Sequence, residues 1–392
     1  MKNSFHTALL SQKQILLSDL QSFGLCIEQG TDDNMLRLGG AGPTDHRAIT
    51  VLGSTVMVRI IRSDVKNQIK TPFIARRKSD FENSMMLFKE QEELAPLEFP
   101  PAPRFYSKKT EEGIPYWKIA RLHSNNVLAT TVMQTCIRYG NRKTKCQFCA
   151  IGESLKHQTT IARKSPEQLA EVALAAQQLD GVSNVVMTTG TPVTSDRGAA
   201  ILVECARAIK RATGLPIQVQ CEPPDDFMWF RLLKDAGVDS LGMHLEAWDQ
   251  SVREHIMPGK SEVSVGTYLR AFKKAVEVFG RGEVSTYLLA GLGDTKEGLL
   301  LGCRKLVDLG VYPFVVPFVP VGGTQFADCF SPSPAFMRSI LEPLAAMLTE
   351  AKMTSDSLKA GCAKCAACST LSLFEQTKRT SLKEKPAVLS CN

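Results

Sequence analysis

The stretch SPEQLAEVALAAQQLDGVSNVVMTTG, residues 165–190, reads as one helix running into one strand. Ser165 and Gln168 stand at capping-box spacing, in which each side chain satisfies the other's backbone N–H at a helix start. Gly181 follows the helical pattern, where a left-handed residue closes the last turn. Val182 and the run from Val185 to Met187 are then apolar, as a parallel strand buried on both faces requires.

Outward from this stretch the same unit recurs. Apolar runs stand at 127–135, 215–224, 238–247, 284–293 and 311–320, with helical patterns at 196–214, 225–237, 264–280 and 295–310 between them. Six such units in about 200 residues give a doubly wound sheet or a barrel. A dinucleotide-binding sheet wants a glycine fingerprint after its first strand, whereas here the first strand leads into Cys136. Polar and glycine residues follow every strand, as when one rim gathers the active site. The expected fold class is therefore α/β, a partial (β/α)6 TIM-like barrel over residues 121–330. Residues 1–120 form an N-terminal α+β extension, 331–372 a helix with a cysteine-rich metal-binding segment, and 373–392 a polar tail. Within the extension a helix is expected near 11–24 and a hairpin over 48–61, turning at Leu52–Gly53. Segments 72–91 and 95–106 read as connecting structure.

With 44% hydrophobic and 22% charged residues, the 392-residue chain has an ordinary globular composition. Its formal charge of +7 is spread thinly rather than gathered in a basic block. No accessory nucleic-acid-binding module is visible, so nucleic acid is not an expected partner. No stretch approaches the apolar length of a membrane span, and the N-terminus has no signal-like run. The expectation is a cytoplasmic protein without a membrane partner. Twelve cysteines then need an explanation. Cys26, Cys205, Cys221, Cys303, Cys329 and Cys391 are scattered, while Cys136/Cys146/Cys149 and Cys362/Cys365/Cys368 form two tight sets. In a reducing compartment, clustered thiols read as metal ligands.

The first set lies in CIRYGNRKTKCQFC, residues 136–149, directly after the first barrel strand. Three thiolates from one loop can hold three irons of a 4Fe-4S cluster and leave the fourth open to a ligand. A structural zinc would want a fourth protein ligand, for which His157 is the nearby candidate.

On these residues the chain resembles the radical S-adenosylmethionine (radical SAM) superfamily. Phe148 holds the aromatic position before the last cysteine and the final Cys-x-x-Cys is intact. The gap between the first two cysteines is nine residues instead of the usual three. Further segments, VMTTGTP, QCEPPDD, GMHLEAWDQSVREHIMPGK and GCAKCAAC, resemble a bacterial radical SAM family often encoded beside a nitrilase. That resemblance implies a cluster that binds S-adenosyl-L-methionine and, on one-electron reduction, splits its sulfonium into methionine and a 5′-deoxyadenosyl radical. A flavodoxin- or ferredoxin-type donor would supply the electron, and a small molecule would be the substrate. Arg138 and Lys145 flank the ligands.

Thr188, Thr189, Gly190 and Thr191 match loosely the superfamily turn that meets the methionyl amine, without its commoner acidic residue. Glu222 supplies an acceptor after strand three, and Cys221 beside it reads as a small core residue. His244 and Glu246 stand two apart in an apolar strand, so period two places them on one face. Buried polar groups there are costly unless they meet a polar cavity, which makes the pair candidates for catalysis or cofactor contact. Arg253 resembles the basic residue that reaches the cofactor's carboxylate. Gly291, Gly293 and Asp294 resemble the turn after strand five in biotin- and lipoyl-synthase-like members; a tight turn capping the next helix through Asp294 explains them equally. Pro317 and Pro320 stiffen the last strand's exit.

Cys362, Cys365 and Cys368 have the Cys-x-x-Cys-x-x-Cys spacing that starts a bacterial ferredoxin run, but residue 372 is serine. A second iron–sulfur cluster is the leading expectation, with Cys329 or Cys391 as a fourth ligand. Zinc or a soft-acceptor thiol site are the alternatives. The functional expectation is thus a radical SAM enzyme acting on a small metabolite. Transfer of the cofactor's aminocarboxypropyl group to a soft acceptor such as arsenite, and a non-catalytic zinc or iron–sulfur regulatory protein, are the other readings.

Overall fold

The structure is a computed structural model that describes residues 2–28, 46–61, 71–77 and 85–383. After helix α1 (Lys2–Phe23), six strands close a small barrel: β1 (Leu25–Ile27), β2 (His46–Val51), β3 (Ser54–Ile61), β4 (Phe73–Arg77), β5 (Met85–Lys89) and β6 (Glu92–Glu98). Their order around it is β1-β3-β2-β6-β5-β4. β1 runs parallel to β3 and β4, and the remaining ladders are antiparallel. The hairpin turns at Leu52 and Gly53, both left-handed with φ of 50° and 69°, the pairing that a two-residue loop between right-twisted strands prefers. The supposed connectors at 72–91 and 95–106 are corrected: they contain β4, β5 and β6. Pro96 sits within β6 opposite Met86, and the register shifts at Leu87/Phe88. Both features weaken the alternation by which a strand is read.

After α2 (Tyr116–Ile119) comes the second sheet, with β7 (Arg121–His123), β8 (Val127–Thr131), β9 (Asn184–Thr188), β10 (Ile217–Gln220), β11 (Ser240–Gly242), β12 (Val284–Ala290) and β13 (Val311–Pro317). Its order is β13-β12-β11-β10-β9-β8-β7. β8 to β13 are the six parallel strands expected, and β7 adds an antiparallel edge to β8. Between and beyond them run α3 (Glu153–Lys156), α4 (Pro166–Asp180), α5 (Ala199–Thr213), α6 (Met228–Asp235), α7 (Gln250–Ile256), α8 (Pro258–Ser261), α9 (Val265–Phe279), α10 (Lys296–Leu309), α11 (Pro334–Glu350), α12 (Cys362–Cys365) and α13 (Leu371–Lys383). Every residue of β8, β10 and β13 is buried. The Ser165/Gln168 capping box forms in both directions. The fold is the mixed α/β, curled half-barrel with extensions that the sequence pattern predicts.

The C-terminal segment bridges the two edge strands of the half-barrel. His123 on β7 meets Cys368, and Tyr312 on β13 donates to Glu375 at 2.6 Å. The small barrel packs on this segment: Met57 N–H donates to the Ala367 carbonyl at 2.8 Å, and Gln21 Nε2 donates to the same oxygen at 3.1 Å. The tail expected from residue 373 is corrected over 373–383. It is helical, with Leu373 in the small-barrel core and Glu375 fully buried. A buried glutamate flanked by Gln376 and Lys378 reads as polar, although its carboxylate is satisfied by Tyr312 and Ser355.

Candidate active site

The C-terminal ends of the parallel strands surround a cavity of about 370 Å³. Cys136, Cys146 and Cys149 all line it. Their loop is clamped from two sides. Gly190 N–H donates to the Met133 carbonyl and Ile137 N–H to the Thr191 carbonyl, both at 2.9 Å. A Cβ on Gly190 would stand 2.0 Å from the Thr135 carbonyl oxygen, so only glycine lets the loop pass over this turn. On the other side, Gln147 N–H donates to Ile256 at 2.8 Å, and a Cβ on Gly259 would meet the Thr144 carbonyl oxygen at 2.7 Å. Burial pushes the Cys149 thiol up to about 11. Among the described residues, no three His, Cys, Asp or Glu side chains are arranged as ligands of one metal ion.

Two buried ion pairs face this loop. Arg138 pairs with Glu222, whose Oε1 also accepts from Thr191 at 2.9 Å while its Oε2 is buried without a partner. Lys260 pairs with Glu246 at 2.9 Å. Burial opposes the Glu246 charge, yet Lys260 outweighs it and the carboxyl is held below its usual range. The Lys260 ammonium is likewise opposed by burial and raised by Glu246.

His244 stacks on Tyr287 with ring centroids 4.4 Å apart. Its Nδ1 accepts from the Tyr287 backbone N–H at 3.2 Å. Burial pushes its pKa down to about 4. A neutral imidazole whose Nδ1 accepts must carry its proton on Nε2, and that atom is buried without a partner. The cavity wall thus holds a buried donor at His244 Nε2 and a buried acceptor at Glu222 Oε2, neither with a hydrogen-bond partner among the described residues.

One expectation about this pair is corrected in its reasoning. β11 ends at Gly242, so His244 and Glu246 lie beyond it. Glu246 has a left-handed φ of 66° and bridges Leu288 on β12. Pairing to β12, not strand periodicity, turns both side chains toward the cavity.

Thr188, Thr189, Gly190, Thr191, Glu222, His244, Glu246 and Cys368 line the cavity; Arg253, Gly291, Gly293, Asp294, Cys362 and Cys365 are not among its lining residues. Arg253 is fully buried, lies over the Tyr268 ring and donates to the Leu245, Val263 and Lys260 carbonyls. Asp294 accepts from the backbone N–H groups of Trp248 and Asp249. The cap of α10 is Thr295 rather than Asp294. Lys145 lies over the Tyr139 ring, His157 and Cys329 are exposed, and Cys391 falls outside the described residues. Sequence reasoning missed Lys260, Tyr287 and Gln220, all cavity residues. Gln218 and Gln220, two apart in the apolar run LPIQVQ, carried the same signal as His244 and Glu246.

The structure is thus a half-barrel α/β protein with three thiols of one loop lining its strand-end cavity. Residues 138–300 match the family model described as Radical SAM superfamily. Over 215 residues the chain is 29% identical to the bacteriochlorophyllide c C-7(1)-hydroxylase of Chlorobaculum limnaeum, covering 50% of this chain and 52% of that protein. The chain therefore spans about half the length of the curated relative it matches. Similar solved structures include a methylornithine synthase, 18% identical with a TM-score of 0.43, covering 61% of this chain and 71% of that one. Another is a radical SAM methyltransferase from Sphaerobacter thermophilus, 14% identical with a TM-score of 0.45, covering 72% and 76%. Among the described residues no helix is long and apolar enough to cross a membrane.

Proposed function

We propose that the chain reductively cleaves S-adenosylmethionine at a 4Fe-4S cluster held by Cys136, Cys146 and Cys149, to modify a small metabolite. The observation that carries this reading is the convergence of three thiols from one clamped loop on a single cavity. The donor set fits: three soft sulfurs suit iron, and three ligands leave one iron of a cubane open. When bound, the cluster supplies the electron that splits the sulfonium into methionine and a 5′-deoxyadenosyl radical.

The chain's own residues bind, orient and exclude water. Lys260 and Glu246 offer paired charges to a zwitterionic amino-acid group. His244 Nε2–H and Glu222 Oε2 offer a donor and an acceptor for hydroxyl or amine groups. Phe148, Leu289 and Phe318, also in the lining, cover apolar surface and keep water from the reacting atoms. A flavodoxin- or ferredoxin-type donor is the proposed partner, within a reducing cytoplasm.

Replacing Cys136, Cys146 and Cys149 together by alanine should abolish S-adenosylmethionine cleavage in anaerobically reconstituted protein and remove about four irons per chain. Chromatography of the products decides the first part, and Mössbauer spectra with iron analysis decide the second. 5′-Deoxyadenosine with methionine is the expected outcome. Stoichiometric zinc without a reducible cluster would sink the reading, and 5′-methylthioadenosine as the main product would redirect it to aminocarboxypropyl transfer.

A further inference from the structure

We propose that Cys362, Cys365 and Cys368 hold a second iron–sulfur centre at the same cavity, with Gln220 and His123 positioning its sulfur ligands. These cysteines lie outside the matched residues 138–300. The proposal rests on their own surroundings and not on the reading of the first cysteine loop.

The local backbone is shaped to present sulfur. One turn of helix carries Cys362 to Cys365, and Ala366, left-handed at φ 59°, then bends the chain back toward Cys368. Gly361 sits on the Gln218 amide so closely that a Cβ would come within 2.2 Å of it. Each sulfur has a polar partner. Gln220 Nε2 donates to Cys362 Sγ at 3.3 Å, and His123 Nε2 stands 3.3 Å from Cys368 Sγ. The Ser124 side chain hydrogen-bonds the Cys365 thiol.

The Gln220 amide is fixed in orientation. Its Nε2 also donates to Gln218 Oε1 at 2.9 Å. That oxygen accepts from Cys362 N–H at 3.1 Å, and Gln218 Nε2 donates to Ser285 at 3.2 Å. Gln218 and Gln220 are 1% and 6% exposed, so this amide chain is a buried polar construction inside an apolar barrel. A neutral thiol accepts hydrogen bonds poorly, whereas a thiolate accepts them well. Cys362 and Cys368 are buried and Cys365 is half-buried, and as iron-bound thiolates all three would accept these hydrogen bonds well. A polynuclear cluster spreads its thiolates over separate irons, so it does not require three sulfurs around one ion. Cys368 lines the cavity that the first loop also lines, which brings the second centre to the space a substrate would fill.

The test uses the full chain, reconstituted anaerobically with iron and sulfide. Wild type should carry about eight irons, and the Cys136/Cys146/Cys149 triple-alanine variant should keep about four with an iron–sulfur spectrum. Replacing Cys362, Cys365 and Cys368 together by serine should halve the wild-type count. In the triple-alanine background, Gln220→Met and His123→Phe should each move the remaining cluster's reduction potential downward, because hydrogen bonds to sulfur stabilise the more negative reduced state. Zinc or no metal in the triple-alanine variant overturns the second centre. Should either triple variant fail to fold, about four irons in wild type overturns it equally. Potentials unchanged in both single variants refute the positioning role. Wild type that loads both centres without cleaving S-adenosylmethionine sinks the radical reading alone.

Discussion

At the scale of single residues, His244 is held in the cavity wall by one backbone N–H and a stacked Tyr287 ring. A backbone N–H fixes its tautomer and burial fixes its charge. His244→Ala should leave iron content unchanged but reduce the S-adenosylmethionine cleavage rate or cofactor affinity by tenfold or more, on the order of one lost buried hydrogen bond to a ligand. Calorimetric titration beside product assays checks this, and unaltered binding and turnover would make the residue structural. Its titration has a further consequence. The folded value of about 4 lies below the unfolded value of about 6.5. Between these limits the unfolded chain binds a proton that the folded chain does not, so stability declines as pH falls through that window. Above about pH 6.5 this contribution no longer changes. The melting temperature of a His244→Asn variant should accordingly fall less than that of wild type between pH 7 and pH 5. That His244 and Glu246 line the cavity was legible because polar residues inside an apolar run need a reason. Lys260 was not, since a lysine among glycine, serine and glutamate reads as solvated until Glu246 is found beside it.

At the scale of elements, capping and periodicity read well wherever a helix or strand obeys a local rule. The helix–strand unit at 165–190 forms as its caps require, and the 46–61 hairpin turns at Leu52 and Gly53 as expected. β4 to β6 were missed because their pairing, not their pattern, holds them in the barrel. The hairpin also retains local strain: Leu52, 40% exposed, occupies a left-handed conformation that suits asparagine or glycine. Leu52→Asn should stabilise the protein by about 0.5–1 kcal/mol, read as a higher urea midpoint with unchanged slope. A lower midpoint would mean that Leu52 packs on a neighbour.

At the scale of the whole molecule, the small barrel and the C-terminal helix share one core. Leu17, Leu20, Val58 and Phe73 pack in the same apolar cluster as Leu373. This was illegible because no local pattern tells residue 17 that its partner is residue 373. Leu17→Ala should cost about 2–5 kcal/mol and speed amide exchange over residues 362–374 far more than over β8 to β13. Hydrogen-exchange mass spectrometry can resolve the two regions. Uniform acceleration would indicate that the two sheets unfold together.

The contact between Gln21 and Ala367 spans 346 residues of chain. At ribosomal rates of about 5–20 residues per second, the later partner follows the earlier by roughly 20–70 s. β13, the last strand of the half-barrel, ends at Pro317, so all six parallel strands are made before Ala367 and only the final few seconds of that interval separate the complete sheet from it. The bond that ties the small barrel to the C-terminal segment can therefore close only after the sheet lying between them in sequence has been made.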